Sequence, residues 1–293
     1  QLQGDAAAAR EDYLRIIRDA DAASQALGLR FLAALCLQEG RFDEFRSRVA
    51  QGLDISRRGA MQDEEDSFLL MEAAGFQLRD NLAAAEESAR RAVRLAEELN
   101  DVIVRAEGLG LLGHVLLARG NAAGAGETAE RLRLLTETSG LRHLRKHYFR
   151  LKGAIARQAG DYASAADLGR MAVAGLPFPY SLNDDHAVYY ESLALTAETA
   201  GDTDRAIGIR RDIGALTSGR LLFGDIYGRN YYRLGKLYLR KNLKAEAADA
   251  FDTFLRLWAR ADAGRPEIAD AREELAALKI PGPRPASKTV PAP

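Results

Sequence analysis

The chain has 293 residues, 47% of them hydrophobic and 28% charged, enough apolar material for a folded core and too much for a disordered polymer. Forty-one Lys and Arg against 42 Asp and Glu leave a formal net charge of −1, which removes any global pull toward nucleic acid or membrane. The single cysteine, Cys36, excludes an internal disulfide framework and a cysteine-based zinc site, and no stretch approaches the roughly 20 apolar residues that span a bilayer.

In chain order, Gly4 and Asp5 form a turn signal, and Ala9, Tyr13 and Ile16 then share one helical face, so a first helix is expected over 5–23. It has the pattern of the second helix of a pair with no first helix before it, as in a piece of a longer array. From about 26 to 260 the sequence repeats. Turn-type residues recur at Gly40, Asp80, Gly120, Gly160, Gly201 and Asn242, spaced by 40, 40, 40, 41 and 41. Eleven residues before each stand Leu29, Leu69, Leu109, Phe149, Tyr190 and Tyr231, all large. Seven before stand Ala33, Ala73, Gly113, Gly153, Ala194 and Gly235, all small. This spacing predicts six helix pairs, each with a first helix, a tight left-handed turn and a second helix, with Asp161, Asp202 and Thr203 as helix-capping candidates. The segment from Gly175 to Asp185 breaks the pattern, because Pro177 and Pro179 exclude helix; its aromatics are expected to pack on the array. Pro266 opens a cap helix over 266–279 with an apolar stripe of Ile268, Ala271, Leu275 and Leu278, and residues 281–293, with five prolines, read as a flexible tail.

Small, large and small residues in this order resemble the tetratricopeptide repeat. The sixth unit matches best, through Tyr231, Leu234, Gly235, Tyr238, Ala247, Phe251 and Phe254. The other units depart from the pattern at Glu72, Lys152 and Phe45, and the 40-residue period resembles the longer variants of a repeat whose usual length is 34. The resemblance implies an all-α, right-handed α-solenoid forming one domain over 1–280. The stretch from Leu216 to Leu278, including Gly224, Asp225, Tyr227, Trp258, Asp262, Pro266 and Glu267, resembles the tetratricopeptide tails of bacterial serine/threonine protein kinases and related signalling proteins. That implies a regulatory or docking module for a catalytic domain elsewhere, since these residues contain no kinase motif.

The chain shows no phosphate loop, nucleophile elbow, zinc-protease motif or calcium loop, so no enzyme activity and no cofactor are expected. His143 and His147 lie four apart but lack carboxylate or cysteine partners at ligand spacing, so no metal is expected either. Function is expected in a groove. In the resembling family the first helix of each pair lines the concave surface, which here assigns Leu27, Phe31, Leu70 and Met71 to an apolar N-terminal half. The same rule assigns His147, Arg150, Arg157, Arg229, Arg233, Lys236 and Arg240 to a cationic C-terminal half, with Glu191 and Glu198 between the cations. The expected partner is a protein or peptide carrying acidic residues. Nucleic acid is disfavoured, although Arg142, Arg145, Lys146, Arg150 and Lys152 form a second basic cluster. A homo-oligomeric scaffold and an effector-binding array of a transcription regulator are the alternatives, and a cytoplasmic location is the default, with the periplasm expected instead if an export signal or membrane anchor lies upstream.

Overall fold

A computed structural model describes residues 5–176, 186–216 and 223–278, and these residues form helices joined by turns, with no strand among them. Residues 177–181, on which the expectation of aromatic packing falls, and the tail beyond 278 lie outside the described residues.

The helices run α1 Ala6–Asp19, α2 Ala22–Gln38, α3 Phe42–Arg58, α4 Gln62–Gln77, α5 Leu82–Glu98, α6 Val102–Ala118 and α7 Ala122–Thr138. They continue as α8 Arg145–Gln158, α9 Tyr162–Ala174, α10 His186–Thr199, α11 Thr203–Ala215, α12 Gly224–Arg240, α13 Lys244–Leu257 and α14 Pro266–Ala277.

The turn chemistry follows the sequence period. Gly40, Asp80, Gly120, Gly160, Gly201 and Asn242 all adopt φ between +57° and +81°, the left-handed region that glycine and asparagine enter most cheaply. In each case the following residue donates its N–H to a carbonyl five residues back: Arg41 to Cys36, Asn81 to Phe76, Asn121 to Leu116, Asp161 to Ala156, Asp202 to Ala197 and Leu243 to Tyr238. Six helices are thus stopped by the same device, which reverses the chain and satisfies carbonyls left over at the helix end. Ala60 and Asn100, also left-handed, repeat it between pairs, with Met61 donating to Ser56 and Asp101 to Ala96; Gly140 is left-handed at the same period, but there the Leu141 N–H donates to the Ser139 hydroxyl. Helix starts are fixed by side-chain caps: Asp5, Asp21, Asn81, Asp101, Asn121, Asp161 and Asp202 each accept a hydrogen bond from the first turn of the helix that follows. Thr203 is the first residue of α11 instead of its cap.

Each helix packs antiparallel on the next, and the first helices of successive pairs also touch: α4 on α6, α6 on α8, α8 on α10 and α10 on α12. The small residues at the period's centre make this possible; a Cβ on Gly113 would overlap the Leu151 side chain, and one on Gly235 would stand 2.5 Å from the Phe251 ring. Helix α1 lies on α2, with Tyr13 stacked on Phe31 at 5.7 Å and Arg10 paired with Glu39 and Glu44.

The array does not stay open. Helix α12 returns to pack against α2, and one hydrophobic core includes Leu29, Phe42 and Phe68 from the first repeats together with Leu234, Phe251, Phe254 and Trp258 from the last. The superhelix therefore closes into a ring, with its first helices facing inward.

Candidate functional site: the central channel

Two adjoining cavities lie inside the ring and share Gln77. One, of about 640 Å³, is lined by Gln77 from α4, His114 from α6, Arg150 and Arg157 from α8, and Glu191 and Ser192 from α10, among others. The second, of about 480 Å³, is lined by Gln77, Asp80, Glu198, Arg229, Arg233, Lys236 and Arg240, among others. Residues from five repeats thus converge on one channel.

The sequence-predicted cations divide between the two. Arg150 and Arg157 stand in the larger cavity, seven residues apart on one face of α8, and the four cations of α12 stand in the smaller one. Leu27, Phe31, Leu70 and Met71 line neither. Leu27 is 44% exposed, Phe31 is covered by Tyr13, and Leu70 and Met71 are half-buried against the core. His147 is buried, with its Nδ1 3.0 Å from the Tyr189 hydroxyl. Burial, reinforced by Lys146 and Arg150, holds its ring well below the usual imidazole range, and burial with Arg150 and Arg157 does the same for His114. Both histidines are therefore neutral near pH 7 and add no positive charge.

Most of the α12 cations already have counter-charges. Arg229 pairs with Glu267 at 3.5 Å, and Arg233 with Glu198 at 3.2 Å and Glu191 at 3.8 Å. Lys236 is held by Asp270 at 3.0 Å and Glu274 at 2.6 Å, both from the cap helix α14. Beneath them lies Arg210 of α11, 0% exposed, which bonds Glu191 at 2.8 Å, the Glu198 carboxylate and the Asn230 side-chain oxygen at 3.3 Å. Burial pushes Glu191 up, but Arg210 and Arg233 outweigh it and hold the carboxyl below its ordinary range. Sequence reasoning placed Glu191 and Glu198 correctly between the cations but missed Arg210; its signal was an arginine interrupting the apolar set Ala206, Ile207, Ile209 and Ile213.

Arg157 is different. It donates to the Ser192 carbonyl at 3.3 Å and makes no ion pair with the described residues. Burial lowers the pKa of its guanidinium, with Glu191 acting the other way. An arginine stays charged in that setting, so the larger cavity contains a half-buried cation with no ion-pair partner among the described residues. Among the described residues no cluster of His, Cys, Asp and Glu could hold a metal ion, and no helix is long and apolar enough to cross a membrane.

No protein-family model and no curated protein matches the chain. Solved structures do. A tetratricopeptide repeat protein from Parabacteroides merdae superposes with a TM-score of 0.50 at 15% identity, over 95% of this chain and 94% of that one. A signal-transduction ATPase with a tetratricopeptide repeat sensor, from Pyrococcus horikoshii, superposes with a TM-score of 0.54 at 12% identity, over 93% of this chain and 42% of that one. These likenesses do not bear on the narrower resemblance to kinase-borne tails. With the helix pairs, their left-handed turns and the inward first helices, they give the chain the tetratricopeptide fold.

Proposed function

We propose that the chain is a noncatalytic interaction module that binds a protein or peptide in its central channel, as a docking or regulatory part of a larger signalling protein. The observation that carries this reading is Arg157, a half-buried cation with no ion pair among the described residues, with Arg150 on the same helix face in a cavity built from the inner faces of several repeats. A carboxylate or acidic side chain on an extended partner would complete it through a charge-assisted hydrogen bond. The sensor role of the tetratricopeptide segment in the Pyrococcus protein is of the same kind. The test is to pan a displayed library of random peptides against the purified chain. Peptides enriched in acidic residues, whose binding falls at least about tenfold with Arg157→Ala, the loss of one charged hydrogen bond, support the reading. Peptides without acidic residues, or ones that bind Arg157→Ala equally well, would overturn it.

A second reading rests on size. A cavity of about 640 Å³ falls within the range that encloses small ligands. A thermal-shift screen with small carboxylates separates this effector-binding reading from the first, since only a ligand that binds the native state raises the melting temperature.

A further inference from the structure

The joint that closes the ring is built as closely as a helix pair, yet it joins residues about 200 positions apart. On α12, a Cβ at Gly224 would stand 2.5 Å from the Ala34 carbonyl oxygen and 2.7 Å from the Gln38 nitrogen, and one at Gly228 would stand 3.0 Å from the Gln38 carbonyl oxygen. These two glycines, one helical turn apart, bring the α12 backbone directly against the end of α2. Trp258, 2% exposed and the chain's only tryptophan, then covers the turn after α2. Its ring lies edge-on to Phe42 at 5.8 Å, and a Cβ on Gly40 would sit 2.7 Å from it.

Two hydrogen bonds complete the joint. The Asp262 N–H donates to the Gly40 carbonyl at 3.1 Å, and the Asp262 carboxylate accepts from the Asp43 N–H at 3.0 Å, capping the start of α3 from the other end of the chain. Arg265 lies 3.9 Å over the Phe42 ring and Arg229 5.6 Å over it.

The joint also has a built-in weakness. The Trp258 Nε1 is buried with no hydrogen-bond partner among the described residues. That unmet donor would regain water if the joint parted, so part of the packing gain is offset. Consecutive repeats share covalent connections and interleaved helices, whereas the first and sixth meet through side chains and backbone contacts alone. This is where the ring can part with every helix pair intact.

We propose that this joint is a clasp. It closes the ring in the unliganded chain and parts as a unit while the repeats remain folded, opening the channel along one side to a partner whose ends are too bulky to thread through it. The inference rests on reading the channel as the binding surface, but the test of the clasp needs no ligand, so the two can fail separately.

The experiment is pulsed electron paramagnetic resonance on the full chain, with spin labels at Arg46→Cys on α3 and Arg256→Cys on α13, both exposed and on opposite sides of the joint. A reference pair at Arg90→Cys and Arg131→Cys lies within the middle of the array. Cys36 stays out of the labelling because it is buried and its thiol is pushed up to about 12 by that burial. The expected result is one narrow cross-joint distance in the otherwise unaltered chain. Gly228→Leu, which drives a side chain into the Gln38 backbone, should shift it to longer and broader distances while the reference distance and the helical circular dichroism hold. Asp262→Ala, milder because it removes only the cap on Asp43 and the 3.6 Å ion pair with Arg265 and inserts no bulk, should move it in the same direction by less. A cross-joint distance that both variants leave unchanged would overturn the clasp, as would a reference pair that broadens in step with it. So would a broad cross-joint distribution before any clasp substitution.

Discussion

The middle of the array and the joint that closes it are held together by different chemistry. Between α4 and α8 the core is made of Ala73, Ala89, Leu109, Leu112, Ala125, Leu132 and Leu151, small and aliphatic side chains at repeating positions. At the joint it is made of Phe42, Trp258, Gly224, Gly228, Asp262 and two arginines stacked on an aromatic ring, each used once. Interfaces between consecutive repeats can be produced by copying one unit, because each unit meets the same neighbour. The closing contact joins two dissimilar ends and needs residues that the repeat does not supply.

The largest effect is expected just inside the joint. Arg210→Ala would remove a fully buried side chain and leave the half-buried Glu191 and Glu198 with a reduced counter-charge, at a cost of about 3 kcal/mol or more. Urea unfolding should show an early loss of helix; a midpoint within error of the parent would mean that Arg233 alone satisfies both carboxylates.

Next comes a direct contrast between the regions. Leu109→Ala in the middle and Trp258→Ala at the joint each remove a fully buried side chain, for about 2–5 and about 3–5 kcal/mol. Hydrogen exchange should separate them: Leu109→Ala weakens protection through α4 to α8, while Trp258→Ala weakens α2, α3 and α12 and spares the middle. Equal loss of protection everywhere would show that the ring unfolds as one cooperative unit.

A smaller effect distinguishes the middle by pH. Asp66 is 1% exposed, and neither of its carboxylate oxygens has a hydrogen-bond partner among the described residues. Burial, with Asp101 and Glu107 from the α6 side and Asp63 and Glu65 on its own helix, pushes its pKa up to about 7. The folded state therefore favours the protonated acid. This contribution is complete below about pH 4, declines as the pH rises and is gone above about 7, for a total of about 4 kcal/mol at most. The urea midpoint should be higher at pH 5.5 than at pH 8, and Asp66→Asn should remove the difference by raising the midpoint at pH 8. A chain more stable at pH 8, with Asp66→Asn neutral there, would contradict this.

The smallest effect is at the caps. Asn121→Ala, which removes the bond to the Gly124 N–H, should cost about 1 kcal/mol. Loss of protection confined to α7 would fit a local cap, whereas opening of the α2–α12 joint would show that repeat geometry in the middle sets the closure.

The repeats were legible in sequence for a local physical reason. A left-handed turn between antiparallel helices is made most cheaply by Gly, Asn or Asp, and each of these marks its position however far away the rest of the fold lies. The second series of left-handed turns escaped notice because Ala60 carries no such mark and because the series gives way to longer connections after α9 and α11. Ring closure was not legible. Nothing in the sequence near Phe42 points to Trp258, and the family pattern describes neighbours only. Gly224, Trp258, Asp262 and Pro266 did stand out, as marks of a family resemblance; in the structure the first three form the joint, and Pro266 opens the helix that follows it. The cations of α12 were legible as a face but not as ion pairs, because their partners Glu267, Asp270 and Glu274 lie on the cap helix α14, where no sequence signal points to α12.

Small-angle X-ray scattering of the purified chain tests the central claim, that this array is a closed ring around a channel, most directly. The expected pair-distance distribution ends at the diameter of the ring and lengthens in Gly228→Leu. A long-tailed distribution already present in the parent chain, and unchanged in the variant, would mean that the array is an open superhelix and that the channel is an ordinary groove.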